Sequence, residues 1–263
     1  MISKNAVIHE SVKIGKDVII RDFAIINEGV IIESGVEIGE NVIIRSNVHI
    51  GTNSYIGSFS ILGEHSANYY SGSLNYVNAL LTIGENAVIR SGTIIYNDSK
   101  IGCNFQTGHR VTIREKTIIG DNSSIGTLCD LQGRLEIGNF VRLHSNVHLG
   151  QLSNIKDFVW IYPFVVLTND PYPPMNQLVG VTVNEYAQIA TGSVIMPGVS
   201  IGKNALVGAQ ALVKKDVGEE RVVVGVPAKD ICSVRDLKND KDEQIYPWKD
   251  YLKDFRGYPW QEK

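Results

Sequence analysis

Cysteine is scarce in this sequence. Cys103, Cys129 and Cys232 are the only three among 263 residues, and no two are spaced as a CxxC pair. So sparse and odd a set argues against a disulfide framework and fits a reducing compartment. Long apolar runs are missing too. Nothing approaches the roughly 18 consecutive apolar residues that would cross a bilayer, and Met1-Ile2-Ser3-Lys4-Asn5 lacks the apolar stretch of a secretory signal. A cytoplasmic location without membrane contact is expected. Excess positive charge is also absent: 25 Lys and Arg face 28 Asp and Glu, a formal net charge of −3. No basic field exists to hold nucleic acid, so any anionic ligand must be met by local groups.

What is there instead is a period of six. From Ile8 every sixth residue is aliphatic, through Ile14, Ile20 and onward to Leu62. A second register runs from Ile83 to Leu167 and a third from Val183 to Val213. Thr107 alone breaks the pattern. In the first register a small or β-branched residue such as Ala6, Val12 or Val18 stands two residues before each aliphatic position, and Gly often follows, as at Gly15, Gly39 and Gly51. Inward positions two apart are one face of a short strand. The remaining residues turn a corner, where Gly and Asn tolerate positive φ. Three such hexads close a triangular coil of roughly 18 residues, and parallel pairing stacks the coils about 4.8 Å apart. The predicted fold is all-β: a parallel β-helix over residues 1–229, with insertions at about 63–81 and 168–182. A tail follows over 230–263. Within it, 3–4 spacing of apolar residues from Tyr246 to Phe255 predicts a short amphipathic helix that caps the open end or packs on a neighbour.

Several stretches resemble a known family. Ile195-Met196-Pro197-Gly198-Val199, Val207-Gly208-Ala209 and Val224-Gly225-Val226-Pro227-Ala228-Lys229 are similar to the closing section of hexapeptide-repeat acyltransferases that use acyl-CoA. Thr168-Asn169-Asp170-Pro171-Tyr172-Pro173-Pro174 and Gln106-Thr107-Gly108-His109-Arg110 resemble loops of nucleotide-sugar N-acetyltransferases, in particular those acting on dTDP-3-amino-3,6-dideoxyhexoses. The resemblance implies a left-handed coil, a homotrimer with interfacial sites, acetyl-CoA as cosubstrate, no resident cofactor or metal, and a role in surface polysaccharide synthesis. Periodicity by itself does not set the hand.

Acetyl transfer from a thioester to an amine needs a deprotonated amine, a polarised carbonyl and alignment of the two. His109, just after the faulty hexad, is the leading catalytic candidate, as base or as a positioning group. Glu115 is the second. It heads a corner column with Asn97 and Asn169, which, with Asp170, would bind substrate polar groups; a merely solvated corner is the plain alternative. In the first insertion Tyr69 or Tyr76 would stack on a nucleotide base, unless these rings only pack the loop. Thr191, Gly208 and Ala209 would let pantetheine lie flat along the coil, beside Pro227, while Lys214 and Lys229 would meet phosphates. Two other activities remain open. One is an O-acetyltransferase acting on a sugar or serine hydroxyl. The other is a γ-class carbonic anhydrase-like zinc protein built on His109, His144 and His148, disfavoured because Ser145, not His144, falls two coils above His109. A non-catalytic subunit is a further alternative.

Overall fold

The computed structural model describes residues 1–251. Short strands recur every six residues and sort into three sheets. The first has 11 strands and begins at Val7–Ile8, the second has 10 and begins at Lys13–Ile14, and the third has 12 and begins at Ile19–Ile20. The chain visits the three in turn, which is the expected left-handed parallel β-helix. Where the repeat is unbroken, partners are 18 residues apart, as Ile113 and Leu131 are. Across the first insertion the step widens to 33 residues and across the second to 28.

The inward Ile, Leu and Val side chains form one continuous core that is fully buried over most of its length. Hydroxyls among them are satisfied rather than orphaned. Ser123 Oγ donates to the Gly138 carbonyl and accepts from the Val141 N–H, both at 2.9 Å. Burial pushes the Cys129 thiol up to about 11, so it stays neutral inside the coil.

Most corners place one residue at positive φ. Asn41, Asn53, Asn104 and Asn122 suit this, but Phe59, Leu128, Phe140, Phe158 and Phe164 also adopt it. A large side chain there costs about 1 kcal/mol, so another contact must offset the strain. At the corner between the second and third sheets that contact is stacking: Phe140 on Phe158 at 4.9 Å, and Phe158 on Tyr186 at 4.8 Å.

The tail departs from expectation. Its helix is one turn, Trp248–Tyr251, and it does not cap the open end. Trp248 is buried against the Tyr186 and Trp160 rings and donates its indole N–H to the Tyr186 carbonyl at 3.0 Å. Those rings offer an apolar side wall, whereas the end of the third sheet is taken by strand Lys229–Ser233, antiparallel to Arg221–Val224. The expected continuation through Leu252 to Phe255 lies outside the described residues.

Candidate active site

Thr107 alters the coil. Elsewhere the residue after each inner aliphatic donates its N–H to the inner carbonyl one coil on, as Gly57 does to Ile89 and Gly108 to Ile125. Arg90 instead donates its N–H to Thr107 Oγ1 at 2.8 Å, and its guanidinium takes the Thr107 carbonyl at 2.7 Å. The hydroxyl thus replaces a ladder acceptor and turns one carbonyl outward, two residues before His109.

His109 lies at the corner joining the third sheet to the first. It is exposed, and its N–H donates to Thr127 Oγ1 at 3.2 Å. Its imidazole has no hydrogen-bond partner among the described residues, so it is available to a ligand. Phe59, Ser91, Arg110, Thr127 and Leu128 surround it in an open depression of about 540 Å³. The same corner continues through Ser145 to Thr191 and Ala209, each joined to the next coil by its neighbours' backbone bonds. His109, Thr191, Gly208 and Ala209 therefore fall along one edge, spanning about five coil steps, or roughly 24 Å. Lys214 ends a strand of the first sheet, across that sheet from this edge, while Pro227 and Lys229 sit at the turn into the last strand.

Both insertions leave from the opposite edge of the first sheet, where it meets the second. Here Asn97 is buried and donates its amide to Tyr76 Oη at 2.9 Å and Asn78 Oδ1 at 3.0 Å. Tyr76 also meets His65 Nδ1 at 2.6 Å, and Tyr69 stacks on the His65 ring at 4.0 Å. Asn97 and both tyrosines thus hold the first insertion to the coil. Glu115, beside Arg114 at 3.4 Å, lines a cleft of about 290 Å³ under this loop with Asn97, Lys116 and Arg134. In the second insertion Asp170 accepts the N–H groups of Tyr172 and Met175, at 3.2 and 3.1 Å, so its carboxylate shapes its own loop. Asn169 accepts the Val179 N–H at 2.8 Å through its carbonyl. His109 and Glu115 are not brought together within one protomer: a full sheet width separates their edges, and they line different depressions.

Between those edges, on the outer face of the first sheet, the structure reveals a pair that sequence reasoning missed. His148 Nδ1 lies 3.1 Å from Asp130 Oδ2, and this bond holds the Asp130 carboxyl below the usual range. The two are 18 residues apart, so coil arithmetic could have found them. His148 does point outward, as alternation predicts. His144 projects from the third sheet and His109 from a corner, so the three histidines do not converge. Among the described residues no group of three or more His, Cys, Asp or Glu is placed to hold a metal.

The base of the first insertion is an acid-sensitive network. Burial would raise the Glu64 pKa, but the His65 N–H at 2.7 Å, the Tyr70 hydroxyl at 2.8 Å and Arg45 outweigh it and hold the pKa below 4.5. Burial, then Arg45, lowers the His65 pKa below 6.5. Both groups prefer their deprotonated forms in the folded loop, so both contribute stability at neutral pH and lose it as pH falls. Hydrogen-exchange protection factors in residues 63–81, corrected for the intrinsic slowing of exchange in acid, should therefore fall as the pH drops below 6.5 and again below 4.5, with Glu64→Gln removing the second step. Unchanged protection down to about pH 3.5 would show that this network does not hold the loop.

Comparison with known proteins follows the same lines. A family described as bacterial transferase hexapeptide (six repeats) matches residues 5–40 and 29–64. The first ten hexads of the coil thus resemble the hexapeptide repeats of that family. Galactoside O-acetyltransferase of Escherichia coli K12 is 34% identical over 105 residues, which is 37% of this chain and 49% of that protein. The 2,3,4,5-tetrahydropyridine-2,6-dicarboxylate N-acetyltransferase of Staphylococcus aureus JH9 is 37% identical over 65 residues, 25% of this chain and 27% of that protein. The chain thus spans at most about half the length of these curated relatives. Among solved structures, UDP-N-acetylglucosamine O-acyltransferase of Moraxella catarrhalis RH4 matches with a TM-score of 0.50 at 21% identity, over 91% of this chain and 79% of that one. That likeness concerns the fold. No helix among the described residues is long and apolar enough to cross a membrane.

Proposed function

We propose that this chain is an acetyl-CoA-dependent N-acetyltransferase acting on the amino group of a nucleotide-linked amino-deoxy sugar, of the dTDP-3-amino-3,6-dideoxyhexose kind, in surface polysaccharide synthesis. The observation that carries this reading is the single edge with an unpartnered His109 at one end and the small residues Thr191, Gly208 and Ala209 at the other. A pantetheine arm lying along that edge brings its thioester to the histidine. The amine attacks the thioester carbon, the C–N bond forms, the C–S bond breaks, and coenzyme A departs as thiolate. The ammonium proton passes to His109 or to that thiolate. Both named relatives are acetyltransferases.

The reading includes a homotrimer with its sites between protomers. Phe59, Leu128 and Phe164, at 67, 51 and 61% exposure, stand along the His109 corner in the costly positive-φ conformation. Val7 and Ile25 continue an apolar strip on the first sheet. Burial against a second copy would offset both the strain and the exposure. Phe59→Glu with Leu128→Glu is expected to yield monomers by light scattering and to abolish transfer. A wild-type chain that is already monomeric would remove the trimer and the shared site together.

Thiol release from acetyl-CoA, measured with a panel of amino-sugar nucleotides and their hydroxyl counterparts, tests the reaction. Turnover only with hydroxyl acceptors would establish the O-acetyltransferase reading, which the galactoside relative favours. No turnover with any acceptor would sink both.

A further inference from the structure

The outer face of the third sheet contains a gap in a stack. The outward residues that follow each inner aliphatic lie one above another, coil by coil: Arg90, Gly108, Gly126, His144 and Tyr162. His144 and Tyr162 are stacked rings, 4.8 Å apart and 10° from parallel. The next two rungs, Gly108 and Gly126, carry no side chain. Beyond them stands Arg90, folded against the Thr107 carbonyl. His144 and Arg90 are three coil steps apart, about 14 Å, and the space between is a slot of about 370 Å³.

Its chemistry is one-sided. Gln106, Ser124 and Arg142 form one flank, and Asn104 and Asn122 close one corner. Two guanidinium groups line the slot and, among the described residues, no carboxylate does. Arg142, level with His144, lies over the Trp160 ring of the next coil at 5.3 Å, on the side away from the two glycine rungs. The buried Nε2 of His144 has no hydrogen-bond partner among the described residues. Burial, and then Arg142, lowers the His144 pKa, so its ring is neutral at neutral pH and offers an uncharged aromatic face. A flat ring about 3.5 Å thick would extend the Tyr162–His144 stack over Gly126. The rung of Gly108 leaves room for a linker ending at Arg90.

We propose that this slot binds a nucleoside diphosphate, its base stacked on His144 above Gly126 and its diphosphate held by Arg90. In assigning a place to the acceptor's nucleotide, the inference rests on the function proposed above. The chemistry is shared by two sources, a pyrimidine nucleotide sugar and the adenosine diphosphate portion of coenzyme A. Stacking is indifferent to the base, whereas the edge amides of Gln106, Asn104 and Asn122 can discriminate. The tyrosines of the first insertion are the competing platform, but their rings pack on His65 and on one another.

Calorimetric titration of the full chain with dTDP, UDP, ADP, coenzyme A and inorganic pyrophosphate tests the assignment without any turnover. A diphosphate nucleoside should bind more tightly than pyrophosphate, and dTDP or UDP above ADP would name the acceptor as the source, the reverse order coenzyme A. His144→Ala should weaken that binding about tenfold or more, while His144→Phe, which keeps the stack, should restore it. Arg90→Gln should weaken it and flatten its salt dependence. Loss on Tyr69→Ala with no effect of His144→Ala would move the base to the first insertion and overturn the proposal. So would equal affinity for pyrophosphate and nucleotides, or no nucleotide binding at all. Turnover with His144-independent binding would leave acetyl transfer standing and the slot refuted. His144-dependent binding without turnover would do the opposite.

Discussion

His109→Asn should lower kcat for acetyl transfer by about two orders of magnitude or more, with a smaller effect on KM. The expectation rests on position. His109 is exposed at a corner, its imidazole is unpartnered among the described residues, and it stands at one end of the edge that leads to Thr191 and Ala209. Asn keeps a polar group of similar reach but cannot accept the ammonium proton. A near-wild-type rate would leave the proton to the coenzyme A thiolate and reduce His109 to substrate placement. The pair His148 and Asp130 supplies the control. If His148→Asn lowers kcat to that extent and His109→Asn does not, the base is the oriented histidine on the first sheet.

Gly180→Ala should be the most damaging single methyl in the chain. A Cβ at Gly180 would lie 1.9 Å from the Leu152 carbonyl oxygen and 2.1 Å from its carbon. Both are backbone atoms of the neighbouring coil and cannot swing away. The position matters because Gly180 is where the second insertion rejoins the coil, just before strand Thr182–Val183. Overpacking of this kind costs about 3 kcal/mol, or roughly 6–12 °C in Tm for a chain of this size. Gly72→Ala is the comparison. It sits in open space at φ +66°, so it bears only the left-handed backbone penalty of about 1–2 kcal/mol. Thermal unfolding in which the two variants match would show that the second insertion shifts to relieve the clash.

The coil was legible because six-residue periodicity is a local property. Two inward positions and a corner recur in every hexad, and each hexad reports on itself. Thr107 was legible for the same reason: a hydroxyl in an aliphatic column is visible without knowing its neighbours. The consequence of Thr107, an Arg90 guanidinium on a ladder carbonyl, was not legible, because it depends on a residue 17 positions away. The candidate site was legible in pieces. His109 stacks on Thr127 as the spacing implies, whereas the sharing of that edge with Thr191 depends on how many residues the second insertion takes up. Asn97, Tyr69 and Tyr76 share one region, but as the anchor of a loop, since a buried amide takes the nearest partners that satisfy it.

By itself the sequence determined that this chain is a solenoid of hexads, where its two interruptions fall, and which side chains face inward. Only the tertiary structure decided what meets across coils. The number of residues that each insertion takes up sets whether partners are 18, 28 or 33 apart, and the closing of the triangle sets which edge each residue occupies. That is why both insertions leave from one corner, why His109 and Glu115 stand a sheet apart, and why two glycines open a slot between His144 and Arg90.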